Sequence, residues 1–238
     1  MDILQAIDIL TNGEMRVEGR LAWGSNYTML AYTCLGDEEV AVVYKPQRGE
    51  RPLWDFPTGT LCQRECAAYV VTEACGWDFV PPTVMRDGPY GKGSVQLFIE
   101  HDPEEHYFTF QGDSQFDAQL RPMVLFDWII NNADRKGGHV LLDSDNRLWA
   151  IDHGICFHPE YKLRSVIWEF AGQPISAELL ANLAQFEANL TKSPIAEELH
   201  TLLSSVEVDA LHRRTTALLQ SAIFPEPGPG RHYPWPPV

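Results

Sequence analysis

The run Val40–Tyr44 is apolar and mostly β-branched, and it lies between Gly36-Asp37-Glu38 and Pro46, which predicts a central strand that the proline ends. Around it, "RLAWGSNYTMLAYTCLGDEEVAVVYKP" divides into three strand-like pieces, with turns at Gly24-Ser25-Asn26 and Gly36-Asp37-Glu38. Residues 1–19 read as a short helix and a polar turn at Asn12-Gly13. "QRGERPLWDFPTG" holds too much Gly and Pro for regular structure. It reads as a long ordered loop in which Leu53, Trp54 and Phe56 are core anchors or, alternatively, parts of a lid. "TLCQRECAAYVVTEACG" predicts a helix capped by Thr60 and stopped by Gly76. "WDFVPPTVMRDGPYGKGSVQLFIEHD" then reads as strand, glycine-rich turn and strand. The order β-β-β-α-β-β predicts a small α+β lobe built on an antiparallel sheet.

Beyond residue 100 the pattern changes. "FDAQLRPMVLFDWIINN" is a strongly apolar helix, and a short hairpin follows over Val140 to Ile151. "EYKLRSVIWEFAGQP" reads as a helix ending near Gly172, and "SAELLANLAQFEANL" as another. A third starts at Ser193-Pro194 and continues to Ile223. The segment "PEPGPGRHYPWPPV" has six prolines in fourteen residues, which excludes helix and central strand. It is either disordered or extended against the body, and Tyr233 and Trp235 favour docking. The expected division is an N-terminal lobe over 1–100, a helical lobe over 101–223 and a proline-rich tail over 224–238.

The formal net charge of -15 argues against nonspecific binding to nucleic acid or anionic lipid. A phosphate-bearing ligand would therefore need a local basic pocket or a metal ion. No stretch is long and apolar enough for membrane insertion, and "MDILQAIDIL" has no basic leader. With five irregularly placed cysteines, this predicts a cytoplasmic, reducing setting.

The candidate chemistry lies in "NNADRKGGHVLLDSDNRLWAIDHG". Asp134 and Asp152 sit at the two ends of the predicted hairpin, so both face one cleft, and a carboxylate pair suits a hard divalent cation. Gly137, Gly138 and Gly154 allow sharp turns. Lys45 ends the central strand, and Glu65 on the next helix is placed to pair with it. Gly24, Ser25 and Asn26 form a turn whose amides and hydroxyl are placed to cover phosphates.

Together, "VVYKPQRGERPLWDFPTGTLCQRECAAYVV", "GWDFVPPTV", "FDWIINNADRKGGHVL" and "AIDHGICFH" resemble the protein-kinase-like superfold. The likeness is to its phosphatidylinositol 3-/4-kinase-like branch and the related HipA-type bacterial kinases. More narrowly, they look like a bacterial, chiefly actinobacterial, family of phosphatidylinositol-kinase-like proteins. The resemblance covers roughly residues 15–185. It implies a two-lobed fold and a kinase that uses ATP with Mg²⁺ or Mn²⁺. By resemblance, Lys45 is the nucleotide-anchoring lysine and Glu65 its helix partner. Asp134 is the catalytic aspartate and Asp152 the metal-binding aspartate. Phe98, Ile99 and Glu100, within "VQLFIE", lie in the segment that meets adenine.

The chain departs from the family loop D-R-H-x-x-N at two positions: Lys136 stands for the histidine and His139 for the metal-binding asparagine. Imidazole is softer than an amide oxygen, which shifts metal preference toward manganese. Alternatively His139 points away, or Asn131 or Asn132 helps. Lys136 is placed to neutralise the moving phosphoryl group or to contact the acceptor, while Arg135 braces the loop. Lys162 and Arg164 either meet an anionic acceptor or pair with nearby acids. The acceptor is read as a protein or small polar alcohol rather than a lipid. The rivals are AMP transfer on the same fold, a catalytically inactive nucleotide-binding module and, more remotely, a metal-dependent hydrolase.

Overall fold

The structure is a computed structural model that describes residues 2–21 and 26–238. Helix α1 (Ile3–Asn12) leads into strands β1 (Glu14–Arg20), β2 (Met29–Leu35) and β3 (Glu38–Pro46). Helix α2 (Leu61–Ala74), β4 (Thr83–Gly88) and β5 (Gly91–Leu97) follow. The strands make one antiparallel sheet in the order β1-β2-β3-β5-β4, so β3 is central, as its apolar run predicts. Alternation along β3 decides what each face does. Val42 and Tyr44 turn to one side and form a small core with Leu10, Ala31 and Val95, which α1 covers. Lys45, opposite Ser94 of β5, turns to the other side, where α2 lies.

Helix α2 has its N-cap at Thr60, but the threonine hydroxyl donates to the Pro57 carbonyl instead of capping. Glu50 of the preceding loop accepts from the Cys62 amide (2.8 Å) and serves the helix start in its place. Gly76, at φ 69°, turns the chain out of the helix as expected. The loop before α2 is anchored by one aromatic residue. Phe56 is buried, whereas Trp54 is 92% exposed and lies under the Lys162 ammonium, so its reading as a core anchor is corrected.

After one turn at α3 (Tyr107–Phe110), the second lobe is organised by α4 (Asp117–Ile129), buried over most of its length. The hairpin is β6 (Val140–Leu142) with β7 (Leu148–Ala150). Helices α5 (Ala177–Asn189), α6 (Pro194–Leu202) and α7 (Ser205–Ser221) complete it, and one large core runs from α2 through α4 to α7.

Two expected helices differ. Residues 160–172 are not helical, because the Arg164 carbonyl and the Val166 amide bond to the backbone of Arg135, and Leu163, Val166, Ile167 and Phe170 are buried from an irregular path. The helix from Pro194 does not run on to Ile223. It stops at Leu202, and α7 restarts behind a capping box in which Ser204 and Glu207 satisfy each other's backbone amides. The proline-rich segment is irregular and lies along the second lobe. Phe224 is buried there against Phe170, and its amide bonds the Gln173 carbonyl.

Candidate functional site

Glu65 is 3% exposed on the inner face of α2. One of its carboxylate oxygens holds the Lys45 ammonium, and the other accepts from the His153 amide at 2.9 Å. Lys45 Nζ also lies 2.9 Å from Asp152 Oδ1. A strand of the first lobe, its helix and the loop after β7 thus converge on one cation. Burial works against a charged Lys45, but the Asp152 and Glu65 carboxylates outweigh it and raise its pKa. The Lys45 ammonium in turn holds Asp152 well below the usual carboxylate range, against the effect of burial. Burial pushes Glu65 up despite Lys45.

Asp152 has φ 60°, in the left-handed region, and the turn expected at Gly154 follows it at Gly154–Ile155. Such torsions cost free energy and persist where surrounding contacts impose them. Here the neighbouring His153 amide is pinned by Glu65. Gly137 and Gly138 also lack positive φ. Gly137 is needed for space, since a Cβ there would stand 2.8 Å from the Phe108 ring.

The loop from Asn131 to His139 is held from beneath. Arg135 is fully buried, makes a bidentate pair with Asp127 of α4, and donates to the carbonyls of His139 and Ile151 at 3.0 Å each. It is the brace expected of it. Its remaining N–H meets His153 Nε2 at 2.6 Å, so that nitrogen accepts and the buried ring is neutral. Asn132 donates to Asp127 and accepts from the Asp134 amide. Asn131, at φ 55°, binds the carbonyls of His158 and Glu160 and the Lys162 amide. Both asparagines are committed to the scaffold, which corrects their reading as helpers to a metal.

Above this brace, Lys136 Nζ is 3.6 Å from Asp134 Oδ2. Burial raises Asp134 to a pKa of about 6, with Asp152 adding to the rise and Lys136 opposing it. His139 points inward. Its Nδ1 is 2.9 Å from the Asp134 carbonyl, which only accepts, so Nδ1 carries the proton. Burial lowers its pKa to about 4. Nε2 therefore turns a lone pair toward Asp152 Oδ2 at 3.4 Å. Two electron-rich atoms facing each other at that distance fit a cation between them, and the Nδ1 contact fixes the tautomer a ligand needs. No group of three or more His, Cys, Asp or Glu side chains suited to a metal occurs among the described residues. A cation here would take two protein ligands and complete its shell with phosphate oxygens and water, as magnesium commonly does.

Among the described residues, no hydrogen bond or ion pair joins the remaining expected residues to this centre. Gly24 and Ser25 are outside the described residues. The Asn26 carboxamide oxygen accepts from the Arg51 amide at 2.9 Å and tethers the loop after β3. Phe98, Ile99 and Glu100 continue from β5 into the second lobe. The Phe98 amide bonds the Ala41 carbonyl, and the Ile99 carbonyl faces His101 Nδ1. Ile99 also lines a cavity of about 260 Å³ with Tyr69, Val80, Leu97, Trp149 and α1. Lys162 is paired with Asp55 at 2.9 Å, both largely buried, so it clasps the two lobes. Asp127, His153 and the Arg64–Glu207 pair are structural partners that the motifs alone did not single out.

A family model for phosphatidylinositol 3- and 4-kinases matches residues 64–206. Protein Rv2133c of Mycobacterium tuberculosis is 40% identical over 261 aligned positions, covering 96% of this chain and 94% of that protein. Phosphatidylinositol 4-kinase gamma 4 of Arabidopsis thaliana is 28% identical over 188 positions, 64% of this chain and 33% of that protein. Among solved structures, the Helicobacter pylori proinflammatory kinase CtkA superposes with a TM-score of 0.56 at 12% identity, covering 90% of this chain and 94% of that one. The Golgi casein kinase with Mn/ADP bound gives a TM-score of 0.60 at 15% identity, covering 92% and 74%. These two likenesses carry the two-lobed kinase fold. The match over more than half its length shows that the chain belongs to the phosphatidylinositol 3- and 4-kinase family.

Proposed function

We propose that this family member transfers the γ-phosphoryl group of ATP to a hydroxyl acceptor with Mg²⁺ or Mn²⁺. The observation that carries the reading is the meeting of Lys45, Glu65 and Asp152 across the two lobes. A lobe clasp alone leaves without a role the His139 imidazole facing Asp152 and the Asp134–Lys136 pair beside it.

In this reading Phe98–Glu100 meets the adenine between a lobe ending near residue 100 and the lobe beyond it. Lys45 holds phosphate oxygens, with Glu65 setting its direction. Asp152 and His139 hold the cation, which supplies charge neutralisation on the phosphates. Asp134 orients the acceptor hydroxyl and takes its proton, a task suited to a carboxylate with pKa about 6. Lys136 stabilises charge on the moving group. Gly24, Ser25 and Asn26 cover the phosphates.

A protein or small polar alcohol fits the acceptor better than a lipid. The chain is strongly acidic, and no described helix is long and apolar enough to cross a membrane. ATP labelled at the α or the γ position separates the reactions: γ label reaching an acceptor supports the kinase reading. Label from the α position there would replace it with AMP transfer.

A further inference from the structure

Residues 231–238 do not trail into solvent. The Ser165 amide donates to the His232 carbonyl at 3.0 Å, and the Gly137 amide donates to the Pro237 carbonyl at 2.7 Å. Gly137 is three residues past Asp134 in the same short loop. Arg135 and Ser165 are themselves bridged in parallel fashion. The catalytic loop, which opens a short 3-10 turn at Gly137, residues 164–166 and the tail, bent at Tyr233, Trp235 and Pro236, thus lie side by side. The Trp168 ring meets His232 edge-on at 6.1 Å, and Pro234 is buried, while Tyr233 and Trp235 remain exposed.

The character of this contact matters. The body reaches the segment through its carbonyls, one aromatic face and a buried proline. The side-chain hydrogen bonds of Arg231 and His232 run to the tail's own backbone, at Tyr233 and Gly230. Such a groove reads main-chain carbonyls more than a particular side chain. The segment offers no serine or threonine, so it occupies the place without presenting an aliphatic hydroxyl.

We propose that this groove, between the catalytic loop, α3 and residues 164–168, receives a polypeptide acceptor, and that residues 231–238 fill it in cis and hold the chain inhibited. The word acceptor rests on the phosphotransfer reading above, whereas the groove and its occupant do not. A short tether gives an effective concentration of order mM, enough to exclude a free peptide of micromolar affinity. Among the described residues, two backbone bonds, the Trp168–His232 contact and the burial of Pro234 are what release of these eight residues would give up.

The test uses the full chain with a protease site inserted after Gly230, an exposed position where a Cβ would meet nothing within 4 Å. The folded protein is cleaved and freed of the released peptide. Fluorescein-labelled RHYPWPPV should then bind the cleaved chain and bind the uncleaved chain at least about tenfold more weakly. Hydrogen exchange at the Gly137 and Ser165 amides should speed up on cleavage and slow again with peptide. The peptide should also compete with dephosphorylated casein, used as a generic protein acceptor, while leaving the KM for ATP unchanged.

Equal binding to both forms, or to neither, overturns the proposal, as does inhibition that raises the KM for ATP instead. A cleaved chain that binds the peptide but transfers nothing to casein supports the groove and counts against phosphotransfer to protein.

Discussion

Lys45 and Asp152 touch across the two lobes: 107 positions apart in sequence, their nitrogen and oxygen lie 2.9 Å apart. Glu65 is locked to both, to the lysine directly and to the aspartate through the next amide. The lobes are therefore registered to each other by the same charges that the proposed function assigns to the nucleotide.

That double duty separates stability from function. Lys45→Met leaves Glu65 buried without its cation, and breaking such a pair costs about 3–5 kcal/mol. Lys45→Met combined with Glu65→Gln should recover a large part of that loss in urea unfolding, yet bind ATP no better than the single variant. Full recovery of ATP affinity in the double variant would remove Lys45 from the nucleotide site.

Asp134 carries a signed pH prediction. Its folded pKa of about 6 lies above the ordinary 3.8, so the folded state binds this proton more tightly than the unfolded chain. The ionised carboxylate then costs stability, fully above pH about 6 and not at all at pH 3, on the order of 3 kcal/mol. Asp134→Asn should raise the melting temperature at pH 8 and leave it unchanged at pH 3. The same variant should lose about 10²–10⁴-fold in transfer rate, while wild-type activity rises with pH through about 6. A wild-type rate flat from pH 5 to 8 would contradict the assignment.

His139→Asn puts a hard amide oxygen where a neutral imidazole faces Asp152. It should lower the Mg²⁺ concentration needed for ATP binding relative to Mn²⁺, since nitrogen ligands favour the later metal. Calorimetric titrations with each metal give the ratio. An unchanged ratio would place His139 outside the coordination shell.

Asp127→Ala removes the only carboxylate that pairs with Arg135 among the described residues and leaves a buried guanidinium. The expected loss is about 3–5 kcal/mol in chemical unfolding. Asp127→Asn, which keeps hydrogen-bond acceptance, should lose less.

How far the sequence carried these assignments varies with the physics. Strand β3 was legible because its continuous β-branched apolar run and Pro46 agree, and α5 because Ser176 caps an amphipathic run. Lys45, Asp134 and Asp152 stood out at strand ends and in a polar loop, and Glu65 on the next helix as a partner for Lys45; the roles of these four, and of Lys136 and His139, came from the family resemblance. Residues 160–172 were not, since their apolar spacing suits a helix as well as the irregular buried path that the Arg135 backbone imposes. The break before α7 had a signal in Ser204 and Glu207, a capping box inside an otherwise periodic stretch. Asp127 also had one: an acid within "VLFDWII" demands a buried cation. Tail placement had none, because proline content says what a segment cannot form and not where it rests.

The central claim is that Asp152 holds the cation of a bound nucleotide. Titrating ATP into the wild-type chain and into Asp152→Ala, each with and without Mn²⁺, tests it most directly. The account predicts metal-dependent affinity in the wild type and its loss in a folded variant. Equal metal-dependent affinity in both would contradict it.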